Sequence, residues 1–215
     1  MSYSEQDIFD FICAHFNGNP QRYASNFNFS ACELWLCNEI CNIANFELLN
    51  RSDENLFLYN EDHKRDLSLY AHRSNGYDEL LHHIEVKLIY PTTKSVSDNA
   101  IALLLNKLRS ANPNNKNSGW IFLVWTSDHK YLNRYSANDF FAQKTRDIES
   151  TLQQAEPQYV ITHRAEFVDG TLRWKGQDKR ITVKALAIRP VKSIIDAFHD
   201  VKVEYSKAFE LLQNA

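Results

Sequence analysis

Polar and apolar side chains alternate most cleanly at His82–Tyr90, where Ile84, Val86 and Leu88 interleave with His83, Glu85 and Lys87. The stretch is rich in branched and aromatic residues, holds no glycine or proline before Pro91, and predicts a strand. One face of that strand is wholly apolar; the other carries an acid beside an amine. Two earlier strands are predicted at Asn55–Tyr59 and Asp66–Ala71, the second with Leu67 and Leu69 on one face and Asp66, Ser68 and Tyr70 on the other. Asn75-Gly76 is the dipeptide that a two-residue hairpin favours, which sets the second and third strands side by side. Residues 120–125 (WIFLVW) are apolar without interruption, the pattern of a strand covered on both faces.

The helical period governs the rest. Ser4 caps a predicted helix running to about Phe16, with Ile8, Phe11, Ile12 and Phe16 inward. Gly18 and Pro20 mark residues 17–26 as a break. A second helix is predicted over about 31–49, opened by a capping box of Ser30 and Glu33. Leu34, Trp35, Leu36, Ile40, Ile43, Ala44 and Phe46 make it apolar on more than one side, so Glu39 emerges from an apolar stripe. Helices are also predicted at about 98–110 and 137–154, and from Ser193 onward. Strands around 159–168 and 181–188 flank a turn at Asp169-Gly170 and a basic segment. The sum is an α/β fold, a mixed central sheet flanked by helices, in one domain of 215 residues.

Composition adds bounds rather than detail. A hydrophobic fraction of 44% with 24% charged residues is ordinary for a globular chain. No apolar run is long enough to span a membrane, and the acidic start MSYSEQD lacks the order of a signal peptide, so a cytoplasmic protein is expected. Cys13, Cys32, Cys37 and Cys41 form no CxxC pair; they read as small core residues of a reducing compartment rather than as a zinc site. Charge is uneven. Residues 1–62 hold ten acids against two bases, a balance of −8, and residues 163–192 hold eight bases against three acids, a balance of +5. Arg173, Lys175, Lys179 and Arg180 in the second stretch are candidate phosphate contacts, with a solvated hairpin as the plainer reading.

Asp66, Glu85 and Lys87 are the candidates for chemistry, joined by Glu39 from the second helix. Carboxylates bind hard cations such as Mg2+ or Mn2+ with water completing the shell. Such an ion polarises a phosphoryl oxygen and acidifies a bound water, and a lysine beside it can orient that water or balance developing charge. Glu33 is the alternative helix acid, with a capping role near the positive helix end as its simpler explanation. Asp62 is the alternative to Asp66. His82 and His83 read as strand side chains rather than ligands, and Trp120 and Trp125 as core. Thr126 and Ser127, at the end of the central strand, read equally as phosphate contacts or as a strand-end turn.

Asp66, a strand and turn, then Glu85-Val86-Lys87 on the next strand, with a buried helix before them, resembles the PD-(D/E)XK nuclease superfamily. The resemblance covers residues 30–127 and implies the restriction-endonuclease-like core, of order αβββαβ, with residues 128–215 as an extension carrying the basic segment. It implies Mg2+-dependent (or Mn2+-dependent) phosphodiester hydrolysis, with Asp66, Glu85 and Glu39 as metal ligands and Lys87 as the catalytic lysine. Double-stranded DNA is the implied substrate, and cutting both strands favours a homodimer or a partner subunit. Repair, restriction, mobile-element processing and antiphage defence all fit such a domain. Arg65 stands where the motif has proline. Two other readings compete: a non-catalytic nuclease-like protein that binds a partner through its acidic N-terminal part, and a small-molecule enzyme. The second finds no glycine-rich phosphate loop and no GxSxG, and only five glycines in all.

Overall fold

A computed structural model describes residues 5–29, 33–51, 55–61, 66–89, 120–126, 137–154 and 159–191. The expected helices at 98–110 and from Ser193, together with Cys32, Asp62, Arg65 and Ser127, lie outside the described residues.

Helix α1 (Glu5–Gly18) buries Ile8, Phe9, Ile12, Cys13 and Phe16. The break expected after it is a single residue, Asn19, because α2 (Pro20–Phe29) begins at once. Pro20 is the first helical residue there, where its missing N–H costs nothing and its fixed φ suits the turn. The proline that reads as punctuation is an initiator. Tyr23, Ala24 and Phe27 of α2 point into the core. Helix α3 (Glu33–Ile43) passes into a π-helical turn at Ala44–Leu48 and a 3-10 turn at Leu49–Arg51. Leu36, Ile40, Ile43 and Ala44 are buried, but Leu34 and Phe46 are exposed, so α3 is amphipathic and its apolar side narrower than expected.

The strands are β1 (Leu56–Asn60), β2 (Leu67–His72), β3 (Asp78–Ile89), β4 (Trp120–Thr126), β5 (Tyr159–Trp174) and β6 (Gln177–Pro190). They form one six-stranded sheet in the order β1-β2-β3-β4-β6-β5. β1, β2 and β3 are an antiparallel meander, β4 runs parallel to β3, and β6 returns antiparallel to β4. A parallel pair needs a crossover, and residues 90–119 supply the chain length for it. The β2–β3 turn is wider than the expected two residues. Gly76 N–H donates to the Arg73 carbonyl at 2.9 Å, and Gly76 alone in the loop has positive φ, +79°. That is a turn followed by a glycine in the left-handed region, a three-residue loop.

Helices α1–α3 cover one face of the sheet. Their apolar residues form one core with Leu67, Leu69, Ile84, Val86 and Leu88 of the meander and with Phe167, Ile181, Val183 and Ala185 of β5 and β6. Phe16 and Phe167 stack with centroids 4.2 Å apart. On the other face Leu186 and Ile188 are buried, as are Ile148 and Leu152 of α4 (Ala137–Gln153), which lies against β5. β1 is an edge strand, and Asn45 closes it: its side-chain amide donates to the Leu58 carbonyl at 2.7 Å and accepts from Leu58 N–H at 2.7 Å. The edge is thereby satisfied by a helix side chain instead of a seventh strand.

The long β5–β6 hairpin turns at Lys175-Gly176, both with positive φ (51° and 80°), between the paired Trp174 and Gln177. Asp169-Gly170 is not the turn; both residues lie within β5. Gly170 is required by packing, since a Cβ there would stand 2.3 Å from the Pro20 carbonyl oxygen. Among the described residues, no helix is long and apolar enough to cross a membrane.

Candidate active site

The site grows out of a fork in the sheet. β2 starts at Leu67, opposite Ile84, so β3 runs on past that point with no partner strand on this side among the described residues. The N–H groups of Val86 and Leu88 face the gap, and buried backbone donors need acceptors. Two carboxylates supply them. Val86 N–H donates to Asp66 Oδ2 at 2.9 Å, and Leu88 N–H donates to Glu33 Oε1 at 3.3 Å. Asp66 is therefore drawn onto the main chain between Glu85 and Lys87, and Glu33, in the first turn of α3, lies one pleat farther along.

The side chains of the middle segment complete the group. Glu85 is fully buried, and its Oε1 accepts from Nε2 of His83, also fully buried, at 2.7 Å. A solvated strand face is thus ruled out for Glu85. Lys87, on the same face, pairs with Glu33 Oε1 at 2.5 Å, with side-chain exposures of 29% and 41%. The acids converge on α3 as well. Burial, and then the fields of Asp66, Glu33, Glu61 and Glu85 in that order, push the Cys37 thiol well above its ordinary range. The four carboxylates thus lie near enough to one buried sulfur for each to act on it.

Glu39, expected among the metal ligands, has a different setting. Its Oε1 accepts from Tyr23 Oη at 2.7 Å and from Arg22 Nη2 at 3.0 Å. Tyr23 in turn contacts His15, and His15 contacts Glu47, a polar chain joining α1, α2 and the π-helical turn. Burial first, then the bond to Glu39, raises the Tyr23 hydroxyl. Six residues along a helix are about 120° around it and roughly 9 Å farther on, so an acid at 39 cannot share the outlook of one at 33. The helix acid that reaches Lys87 is Glu33.

Among the described residues, no three His, Cys, Asp or Glu side chains stand close enough together to hold an ion by themselves. A cage made wholly of protein therefore does not fit. An oxygen-bound ion that keeps most of its waters needs only one or two carboxylates, and carboxylate is the donor type that Asp66 and Glu85 carry.

The basic candidates lie on the β5–β6 hairpin. Strand pairing sets Lys87 level with Leu123 and Leu186, and β6 continues past that level toward the hairpin tip. Arg180 is six residues on and Lys175 eleven, roughly 20 and 36 Å from the level of Lys87 at about 3.3 Å per residue. Several of these charges are engaged. Arg180 makes a two-pronged pair with Asp169 (2.7 and 2.6 Å), which holds the Asp169 carboxyl below its usual range. Lys179 donates to the Asn28 side chain at 3.3 Å, Lys175 sits 5.7 Å from the Trp174 ring centroid, and Arg173 is the backbone register partner of Asp178.

Two parts of this group lie outside the sequence reading: the His83 bond to Glu85 and the reach of Glu33 to Lys87. The first had a signal, since positions 83 and 85 share one face of any strand. The second depends on where the start of α3 meets the open edge of β3, which no local pattern encodes. In comparisons with known proteins, no family model, no curated protein and no solved structure matched the chain.

Proposed function

We propose that this chain is a metal-dependent nuclease of the PD-(D/E)XK type, hydrolysing phosphodiester bonds in double-stranded DNA. The observation that carries the reading is the Asp66 carboxylate on Val86 N–H, between Glu85 and Lys87, at the fork where β2 begins and β3 continues. The succession α3, antiparallel β1-β2-β3, then a parallel β4 is the order expected of the restriction-endonuclease-like core and supports the same conclusion.

Asp66 and Glu85 would hold Mg2+ or Mn2+, with waters and phosphate oxygens filling the remaining positions. When bound, that ion supplies a polarised phosphoryl oxygen and a water acidic enough to attack at neutral pH. The chain's own groups do the rest. Lys87 Nζ donates its protons to whatever anion stands at the fork, in this structure Glu33 and in the substrate complex a phosphate oxygen. Glu33 fixes the direction of Nζ until the phosphate displaces it. Full burial of Glu85 keeps bulk water from its carboxylate, which strengthens each electrostatic interaction made there. Arg173, Lys175 and Lys179 on the hairpin would contact the backbone of the same duplex, with Lys175 about one helical turn, roughly 34 Å, from the level of Lys87.

One observation favours a second reading, a nuclease-like protein without activity that serves as an accessory or immunity subunit. Asp66, Glu85 and Lys87 each have an internal partner: a main-chain N–H, His83 and Glu33. Plasmid cleavage in Mg2+ or Mn2+, against an EDTA control, separates the two. Wild type is expected to nick and linearise, and K87A and E85Q to lose at least a hundredfold in rate. Equal cleavage by wild type and both variants, or none by any of them with either metal, overturns the hydrolytic reading.

A further inference from the structure

Glu85 is not held by the strand alone. It is fully buried, and its Oε1 lies 2.7 Å from Nε2 of His83, two residues back on the same face of β3. An ionised carboxylate only accepts, so Nε2 carries the proton in this bond. The other ring nitrogen, Nδ1, is buried and makes no hydrogen bond among the described residues; the same is true of Ser68 Oγ. Ser68 is the direct cross-strand partner of His83 in the β2–β3 ladder and is itself fully buried. Facing residues of this kind have Cβ atoms about 5 Å apart. A water bridging Ser68 Oγ–H to Nδ1 would pin the tautomer that leaves Nε2–H for Glu85.

We infer that His83 is the positioning residue of this site: through Nε2–H it aims the Glu85 carboxylate and keeps it ready to bind Mg2+ or Mn2+. The inference rests on the reading of Asp66 and Glu85 as metal ligands and adds a residue to it. Outer partners that orient a ligating side chain typically change metal affinity by 10–100-fold when removed. The bond demands a donor at one reach from the backbone, and the imidazole Nε2 and the amide of glutamine satisfy that demand nearly alike.

Calorimetric titration of the full-length chain with Mn2+ tests this without recourse to activity. The variants are H83A, H83N and H83Q, each checked for folding by circular dichroism and urea denaturation. H83A is expected to weaken Mn2+ binding about 10–100-fold, and H83Q to restore it to within about threefold of wild type. Because H83A strips a buried acid of its partner, H83N replaces it if H83A does not fold; its amide is one methylene too short and is expected to bind as weakly. Folded H83A or H83N with wild-type affinity overturns the role of His83 while leaving the metal site standing. The same holds if folded H83Q binds no better than the shorter variants. Wild type that takes up no Mn2+ at all overturns the site itself, and the inference with it.

Discussion

Asp66 is asked to do two things, and they can be pulled apart. Its Oδ2 closes the open edge of β3 by accepting from Val86 N–H at 2.9 Å, and its charge is proposed to bind metal. Asp66→Ala removes both. A hydrogen bond to a charged group contributes about 1.5–3 kcal/mol, and in a chain of this size each kcal/mol moves Tm by about 2–4 °C. D66A is thus expected to melt roughly 3–12 °C below wild type in EDTA. Asp66→Asn keeps an acceptor for the N–H and loses only the charge. Glu33, Glu61 and Glu85 bear on the same buried Cys37, so removing one charge from the group also relieves repulsion and offsets part of the loss. D66N should melt within about 3 °C of wild type. Metal then discriminates. At ten times Kd a ligand that binds only the native state adds about 1.4 kcal/mol, so Mn2+ should raise the wild-type Tm by roughly 3–5 °C and leave D66N unmoved. Differential scanning fluorimetry with and without Mn2+ reads both effects. If D66N responds to Mn2+ as wild type does, Asp66 is a strand-edge cap and nothing more.

Three further outcomes test neighbouring steps. Glu33→Gln should lower cleavage about 10–100-fold, as the loss of an orienting partner does. Glu39→Gln should leave it within about twofold, since Glu39 belongs to the Tyr23–Arg22 network; plasmid cleavage rates compare the two. Gly170→Ala places a Cβ 2.3 Å from the Pro20 carbonyl oxygen, and with backbone on both sides of the clash the cost should reach about 3 kcal/mol, read as a shift in urea midpoint. Asp169 has its pKa lowered by Arg180, so the pair stabilises the fold above the unfolded value of about 3.9 and that contribution fades as pH falls through the lower, folded value. Urea midpoints measured down to the acid limb should show this small loss in wild type and not in Asp169→Asn.

Strands were the legible part of this chain, and the reason is physical. A period of two has no phase ambiguity over nine residues, so the two faces of β3 followed directly from Ile84-Glu85-Val86-Lys87-Leu88. Helix phase was harder. Leu34 and Phe46 look like core on a helical wheel and are exposed. Glu39 is the more buried of the two helix acids, but its carboxylate meets Tyr23 and Arg22, and it is Glu33 that reaches β3. Punctuation residues misled twice for one reason: proline and glycine have more than one use. Pro20 opens α2 instead of ending α1, and Gly170 sits in mid-strand because the Pro20 carbonyl of α2 packs on it. The Asp66 position came from sequence order alone, but its bond to Val86 depends on β2 starting one residue later, a register that no local signal fixes.

A crystal of the full chain soaked in Mn2+ and measured near the manganese absorption edge tests the central claim most directly. The expected result is one anomalous peak shared by the Asp66 and Glu85 carboxylates, within reach of Lys87. Density showing Mn2+ elsewhere on the molecule, and none between the Asp66 and Glu85 carboxylates, would contradict it.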